Sequence, residues 1–136
     1  MPAPARGPSG TPLVRKLGVK PGYRVSLHGA PSGWRIEDLP EGATVVGPAE
    51  RADLVVAFFL QAVALRAEVA SLGEVIRPAG SLWLAWPRRA AGHRSDITDN
   101  LVRELVLPTG MVDTKVSVLG PDWSALKFVW RRDLRG

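Results

Sequence analysis

The chain has 136 residues, of which 46% are hydrophobic, and its formal net charge at pH 7 is +5. This length predicts one domain that buries roughly two-thirds of its unfolded surface, and the apolar content argues against global disorder. The chain has no cysteine, which excludes disulfides, a cysteine nucleophile and thiolate metal sites. It has only two histidines, His28 and His93, which excludes a multi-histidine metal site, so we predict no metal centre.

The N-terminal segment, residues 1–10, is rich in proline, alanine and glycine and is predicted to be a disordered leader. It lacks the apolar core of a signal peptide. No apolar stretch approaches the ~20 residues that a membrane span requires. We therefore expect a cytoplasmic protein without a membrane partner.

Residues 11–46 contain the signals of four short elements. Thr11 and Pro12 predict the start of a helix, because threonine caps free amides and proline suits the first helical position, and Gly18 ends it. Three more elements are expected: a strand from Tyr23 to His28, a short helix from about Trp34 to Leu39 and a brief strand from Ala43 to Val46.

The central stretch from Asp53 to Pro87 predicts a strand–helix–strand unit. The unbroken apolar run from Leu54 to Leu60 is typical of a strand buried on both faces. A helix follows and ends at Arg77–Gly80, and a second apolar strand spans Ser81 to Trp86. The helix shows one apolar stripe: Leu65, Val69, Leu72 and Ile76. Two strands joined in this way by a helix are parallel.

The C-terminal third predicts a helix and an antiparallel strand pair. Asp96 and Thr98 are alternative caps for the helix, which ends near Leu107. Its predicted buried stripe consists of Ile97, Leu101 and Leu105, widened by Val102 and Val106. The two strands run from Met111 to Leu119 and from Ser124 to Arg131.

These elements predict a three-layer α/β sandwich with a Rossmann-like, mostly parallel sheet. Six strands and about four helices alternate along most of the chain. Numbering the strands in chain order, we predict the order 2-1-3-4-6-5, with an antiparallel C-terminal pair. The order reverses between strands one and three, and ligands of such sheets bind beyond the strand carboxyl ends at that point.

Residues that follow strands one, three and four are therefore the predicted ligand-binding residues. Histidine can act as a general base, glycine amides can cradle an anion, arginines can clamp one, and a tryptophan ring can form a wall. The predicted set is His28, Gly29, Ser32, Gly33, Gln61, Trp86, Arg88 and Arg89. Arg94 and Trp34 are further candidates for the clamp and the wall.

Each of these residues also has a purely structural explanation. His28 can be hydrogen-bonded at the end of its strand, and the loop from Gly29 to Gly33 can be a tight turn. The arginines after Pro87 can belong to an exposed basic loop. No G-x-S-x-G elbow surrounds a serine, and no pair of acidic residues has the spacing of a glycosidase, so catalytic residues stay unassigned.

The positive charge is spread along the chain rather than gathered in one tract. Fourteen of the eighteen basic residues are arginines. A scattered excess of this kind solvates the surface and gives weak affinity for polyanions. Nucleic-acid recognition also needs a basic face with aromatic platforms, so weak, non-specific nucleic-acid binding is kept only as a second alternative function.

Two stretches resemble class I S-adenosylmethionine-dependent methyltransferases: Lys20–Val25 with the glycine loop that follows, and Ile76–Leu82. The region from Thr11 to Arg132 further resembles a small bacterial family, domain of unknown function 3052. The matching segments are TPLVRKLG from Thr11, KPGYRV from Lys20, AWP from Ala85, SDITDNLVRE from Ser95, GMVDTKV from Gly110 and WSALKFV from Trp123. The resemblance implies one shortened methyltransferase-like domain, residues 11–132, followed by a tail at 133–136.

Methyltransferases of this class hold their cofactor with two acidic residues and a loop with glycine at every second position. In this chain the first acidic position falls on Leu27 and the middle glycine on Pro31, and Glu50 is the only substitute for the second acid. Proline lacks an amide donor. We therefore expect no S-adenosylmethionine cofactor, and a non-catalytic binding or regulatory module for a small anionic ligand or a protein segment. The alternative is a methyltransferase with a divergent cofactor loop.

Overall fold

A computed structural model describes residues 11–48 and 50–135 of the chain. Six strands form one sheet in the order β2-β1-β3-β4-β6-β5, as predicted. Strands β1 to β4 are parallel, and β6 runs antiparallel to both β4 and β5. The strands are β1 (Arg24–His28), β2 (Thr44–Val46), β3 (Leu54–Phe58), β4 (Ser81–Pro87), β5 (Met111–Leu119) and β6 (Trp123–Trp130).

Helices cover both faces of the sheet and make the predicted three layers. The α-helices are α1 (Leu13–Leu17), α2 (Ala62–Val75) and α3 (Asp99–Val106). Short 3-10 turns span Arg89–Ala91, Leu107–Thr109 and Arg132–Leu134. One apolar cluster lies between the sheet and α2 with α3, which we call the α2 face, and a second lies on the opposite, α1 face. No helix in the described ranges has the length and hydropathy of a membrane span.

Strand β3 forms the middle of the core, because all five of its residues are buried. Val55 and Ala57 contribute to the α2 face, whereas Leu54, Val56 and Phe58 contribute to the α1 face. The apolar run was thus correctly interpreted as a strand covered on both sides. The strand ends at Phe58, earlier than predicted, and Leu60 is exposed.

Two buried tryptophans join the helices to the sheet through their indole nitrogens. Trp83 Nε1 donates to the carbonyl oxygen of Leu17 in α1 at 3.1 Å. Trp130 Nε1 donates to the carbonyl oxygen of Gly73 in α2 at 2.8 Å. Both rings are almost completely buried, and the hydrogen bonds satisfy the donors that burial would otherwise leave unpaired.

The helix predicted from Trp34 to Leu39 is wrong, because this segment contains only turns and bends. Ile36 is buried in the cluster of the α1 face, and Trp34 packs edge-on against Phe58. Asp38 has a φ of 59°, which a right-handed helix does not allow. Tertiary packing of two apolar side chains therefore determines the path of this segment.

The predicted caps and stripes of the other helices are right in part. The N-cap residue of helix α1 is Pro12, one position after the predicted cap at Thr11, and Gly18 ends the helix with a φ of 80°. Thr98 caps α3. Val102 and Val106 are the buried centre of the α3 stripe, and Leu101 and Leu105 lie at its half-buried margins. Residues 1–10, predicted to be a leader, lie outside the described residues.

Candidate functional site

The carboxyl ends of β1, β3 and β4 lie at the same edge of the sheet. A crevice of about 510 Å³ opens between the ends of β1 and β3, where the strand order reverses. We call it the β1–β3 crevice. Its lining includes His28 and Gly29 from the end of β1, Gln61 from the segment after β3, and Glu68 from α2. Three of the predicted site residues therefore lie together at the expected place.

His28 is fixed by a hydrogen bond to the strand that carries it. Its Nε2 lies 3.0 Å from Ser26 Oγ, two residues earlier on the same side of β1. Burial lowers the pKa of the His28 imidazole from its ordinary value, and the nearby Glu68 carboxylate opposes this shift. The Ser26 side chain is fully buried, so this serine is not accessible to a substrate as a nucleophile activated by His28.

Position 29 requires glycine because the end of strand β3 lies very close to it. The φ of Gly29 is 67°, and a Cβ atom added there would lie 2.8 Å from the carbonyl oxygen of Phe58. A side chain at this position would therefore push β1 and β3 apart. The close approach of two strand ends accounts for this glycine without any ligand. Ser32 and Gly33 lie in the exposed turn that follows.

The charges of the β1–β3 crevice do not suit an anion. Among the described residues that line it, none is a lysine or arginine. Glu68 contributes a carboxylate, and the lowered pKa of His28 favours the neutral imidazole. The rest of the lining is mostly apolar and includes Phe58 and Phe59. An anion placed here would face a carboxylate without a compensating cation.

A second cavity, of about 530 Å³, lies at the carboxyl end of β4 beside the start of α3. We call it the β4–α3 cavity. Its apolar wall is formed by Trp86, Ile97, Val116 and Ala125. Hydroxyl groups come from Ser95, Thr98, Ser117 and Ser124. The combination of an aromatic wall and several hydroxyls is typical of a site for a small organic molecule.

One cation of the β4–α3 cavity has no carboxylate partner. The cavity is lined by three charged or titratable side chains, those of Arg89, His93 and Asp99. His93 Nε2 lies 2.8 Å from Asp122 Oδ1, and Asp99 pairs with Arg103 at 3.4 Å. In the described part of the chain, Arg89 has no carboxylate within 4.0 Å. Its guanidinium is therefore available to an anion that enters the cavity.

The predicted residues are divided between the two cavities. His28, Gly29 and Gln61 line the β1–β3 crevice, whereas Trp86 and Arg89 line the β4–α3 cavity. A shallower depression lies between them, lined among others by Gln61, Arg94 and Ser95. The remaining three predicted residues, Ser32, Gly33 and Arg88, line none of these three cavities. Arg88 instead donates from NH1 to the Pro121 carbonyl oxygen at 3.5 Å.

The sequence interpretation missed several lining residues. Thr98 and Asp99 begin α3, and Ser95 precedes it, so their placement beside the end of β4 depends on the path of the loop. Glu68 reaches the β1–β3 crevice from the second turn of α2. Only the Thr98 cap offered a local signal, and it indicated the start of a helix rather than the wall of a cavity.

The residues in the cofactor positions do not fit S-adenosylmethionine. Leu27, at the first acidic position, is half-buried and packs against the apolar cluster of the α1 face. Both carboxylate oxygens of Glu50 are engaged, one by Arg24 Nη2 at 2.8 Å and the other by the amide of Gly47 at 2.9 Å. No group of three or more histidine, aspartate or glutamate side chains in the described ranges is arranged to hold a metal ion.

Comparison with known structures shows the fold of class I S-adenosylmethionine-dependent methyltransferases. A fibrillarin pre-rRNA processing protein from Methanococcus jannaschii matches with a TM-score of 0.63 and 12% identity, over 94% of this chain and 76% of that protein. A SAM-dependent methyltransferase from Aquifex aeolicus matches with a TM-score of 0.59 and 12% identity, over 85% and 86%.

TrmN from Thermus thermophilus matches with a TM-score of 0.58 and 15% identity, over 88% of this chain. The chain spans about half of that protein, 47% of its length. No protein-family model and no curated protein matches the sequence. At these identities the likeness is one of fold.

Proposed function

We propose that this chain is a non-catalytic binding module that takes a small anionic ligand in the β4–α3 cavity. We also propose that it is a bacterial cytoplasmic protein of the family domain of unknown function 3052. The observation that carries the proposal is the position of Arg89, which lines this cavity without a carboxylate partner among the described residues. In contrast, the β1–β3 crevice presents Glu68 and no arginine or lysine.

The lining of the β4–α3 cavity indicates the chemistry of the ligand. Its volume of about 530 Å³ lies within the usual range for small-molecule sites, and a protein segment would occupy more of the surface. Trp86 and Ile97 favour an apolar, flat part of the ligand, and Arg89 favours a carboxylate, sulfonate or phosphate. Asp99 also lines the cavity, and Arg103 offsets its charge in part, since Arg103 pairs with both Asp99 at 3.4 Å and Asp113 at 3.1 Å. A planar organic anion satisfies all of these contacts.

Two features support a role in binding rather than catalysis. The serine beside His28 is fully buried, so the pair lacks a reachable nucleophile. The residues in the cofactor positions are engaged in the fold, since Leu27 packs in an apolar cluster and Glu50 binds Arg24 and Gly47. A methyltransferase-like fold can keep its core and its cavities and yet lack the acidic residues that hold the cofactor.

The proposal is tested with 1-anilinonaphthalene-8-sulfonate, an organic anion with a flat naphthalene ring whose fluorescence rises on binding. Arg89→Gln removes the unpaired cation and is expected to lower the affinity about tenfold, the loss of one charge-assisted contact. Arg132→Gln is the matched control, because Arg132 is also exposed, lines none of the three cavities and loses the same charge. Equal affinities of the two variants would overturn the proposal.

The alternative function is methyl transfer with a divergent cofactor loop. It is favoured by the likeness of the fold to solved S-adenosylmethionine-dependent methyltransferases. If the chain is a methyltransferase, the cofactor would bind in the β1–β3 crevice, which is lined in part by Gly29. Titration of the protein with S-adenosylmethionine separates the two functions.

A further inference from the structure

Three of the four lysines of the sequence, Lys20, Lys115 and Lys127, lie close to one another, although they are distant along the chain. Lys115 in β5 and Lys127 in β6 are directly opposite each other in the antiparallel ladder. Lys127 also lies opposite Trp83 of β4, which belongs to the α1 face. Lys16 is not counted in this group, because it belongs to α1 and its Nζ donates to the carbonyl oxygen of Val118 in β5 at 2.7 Å. Lys20 lies in the turn just after α1.

Lys127 is the centre of this group, which we call the lysine cluster. Its Nζ lies 4.0 Å from the position that a Cβ atom would take on Gly18, so it reaches the end of α1. Burial lowers the pKa of the Lys127 ammonium, and the positive charges of Lys115 and Lys20 lower it further. Like charges placed directly opposite in a ladder destabilise a sheet. The fold therefore holds these cations together against their mutual repulsion.

No carboxylate compensates these charges within the described residues. Seven ion pairs occur there, and none of them contains a lysine. By contrast, five arginines are paired with carboxylates: Arg24, Arg35, Arg77, Arg103 and Arg131. The scattered arginines are thus partly neutralised, while Lys20, Lys115 and Lys127 form a compact region of uncompensated positive charge.

We infer that the lysine cluster is a binding site for a compact soluble ligand that carries several phosphate groups. Ammonium groups on flexible stems bind phosphate as point charges, and several of them can contact adjacent phosphates at once. None of the four lysines lines the β4–α3 cavity, so this site is separate from that of the proposed function.

A compact ligand suits the cluster better than a nucleic-acid strand. Single strands bind to basic grooves that also offer aromatic rings for stacking. The ring nearest to Lys127 in the sheet, Trp83, is completely buried and offers no stacking surface. The three lysines also gather around Lys127 rather than follow a groove, because Lys127 lies close to Lys115, Lys20 and the end of α1.

Isothermal titration calorimetry with inorganic tripolyphosphate tests this inference. The double variant Lys20→Gln with Lys115→Gln removes two exposed cations of the cluster. We expect its affinity for tripolyphosphate to fall about tenfold or more at roughly 20 mM salt. The control, Arg51→Gln with Arg66→Gln, removes two exposed cations outside the cluster and is expected to change the affinity less than about twofold.

Three results would overturn the inference. One is the absence of measurable tripolyphosphate binding by the unmodified protein at that salt concentration. Another is an equal loss of affinity in the lysine and arginine variants, which would indicate attraction to the net charge alone. The third is tighter binding of a single-stranded oligonucleotide of about ten nucleotides, which would indicate a nucleic-acid site. Circular dichroism of both variants checks that they fold.

Discussion

The carboxylate of Asp96 accepts a hydrogen bond from the backbone amide of Ala62 at 2.8 Å, so a residue just before α3 caps the first turn of α2. Gln61, the N-cap residue of α2, makes no capping bond with its own side chain. Close by, Ser95 Oγ donates to the carbonyl oxygen of Leu60 at 3.3 Å. These two bonds hold the loop that forms one wall of the β4–α3 cavity.

Removal of the Asp96 cap should destabilise the protein. Asp96→Ala leaves the Ala62 amide without its partner, and we expect the free energy of unfolding to fall by about 1 kcal/mol in urea denaturation. Asp96→Asn keeps an oxygen acceptor and should cost less. Equal stability of the alanine variant and the unmodified protein would show that water replaces the carboxylate at no cost.

A negative charge at the mouth of the β4–α3 cavity should weaken anion binding without disturbing the core. Val116 lines the cavity and is 72% exposed, so Val116→Asp changes the charge at little cost in burial. We expect its affinity for 1-anilinonaphthalene-8-sulfonate to fall about tenfold. Val45→Asp, at an exposed position of the edge strand β2, is the matched control and should bind like the unmodified protein. Identical affinities of the two variants would place the probe elsewhere.

S-adenosylmethionine should bind no more tightly than about millimolar, a binding free energy of about −4 kcal/mol. The reason is that Pro31 has no amide to donate, Leu27 replaces an acid, and both oxygens of Glu50 are engaged. Calorimetric titration checks this. A micromolar dissociation constant would refute the proposed loss of the cofactor site. If Glu50→Ala kept the same micromolar affinity, Glu50 would not be part of that site.

The stability of the protein should depend on pH through His28. Because burial lowers the pKa of His28 in the folded state, the unfolded chain takes up this proton first. The stability contributed by neutral His28 is complete above the ordinary histidine pKa of about 6.5. It is lost as the pH falls through the lower pKa that His28 has in the folded state. Melting temperatures from about pH 7.5 to 5 should therefore fall less in His28→Gln than in the unmodified protein.

Glu68→Gln provides a second measurement on the same histidine. The Glu68 charge opposes the lowering of the His28 pKa, so its removal should move the His28 titration to still lower pH. The proton resonances of the imidazole ring report this titration by nuclear magnetic resonance. Glu104→Gln, which removes an exposed carboxylate on α3, is the control. A shift to higher pH in Glu68→Gln would contradict the assigned interaction.

Local sequence patterns were sufficient for the sheet but not for the candidate site. The apolar run in β3 and the stripe of α2 predicted the parallel unit, and the predicted strand order placed the last strand beside β4. The helix predicted from Trp34 to Leu39 was wrong because Trp34, Ile36 and Leu39 pack against the core of the α1 face rather than along a helix. This packing depends on core residues that are far away in the chain.

The sequence by itself determined the class of fold, the strand order and the ends of several elements, because apolar periodicity and turn residues act within a few positions of the chain. Only the tertiary structure decided which side chains meet. Asp96 contacts Ala62 across 34 positions, Trp86 and Arg89 share a cavity with β5 and β6, and Lys16 reaches Val118 across 102 positions. These meetings depend on strand register and on the path of loops, which follow from the packing of the whole domain and leave no local pattern in the sequence.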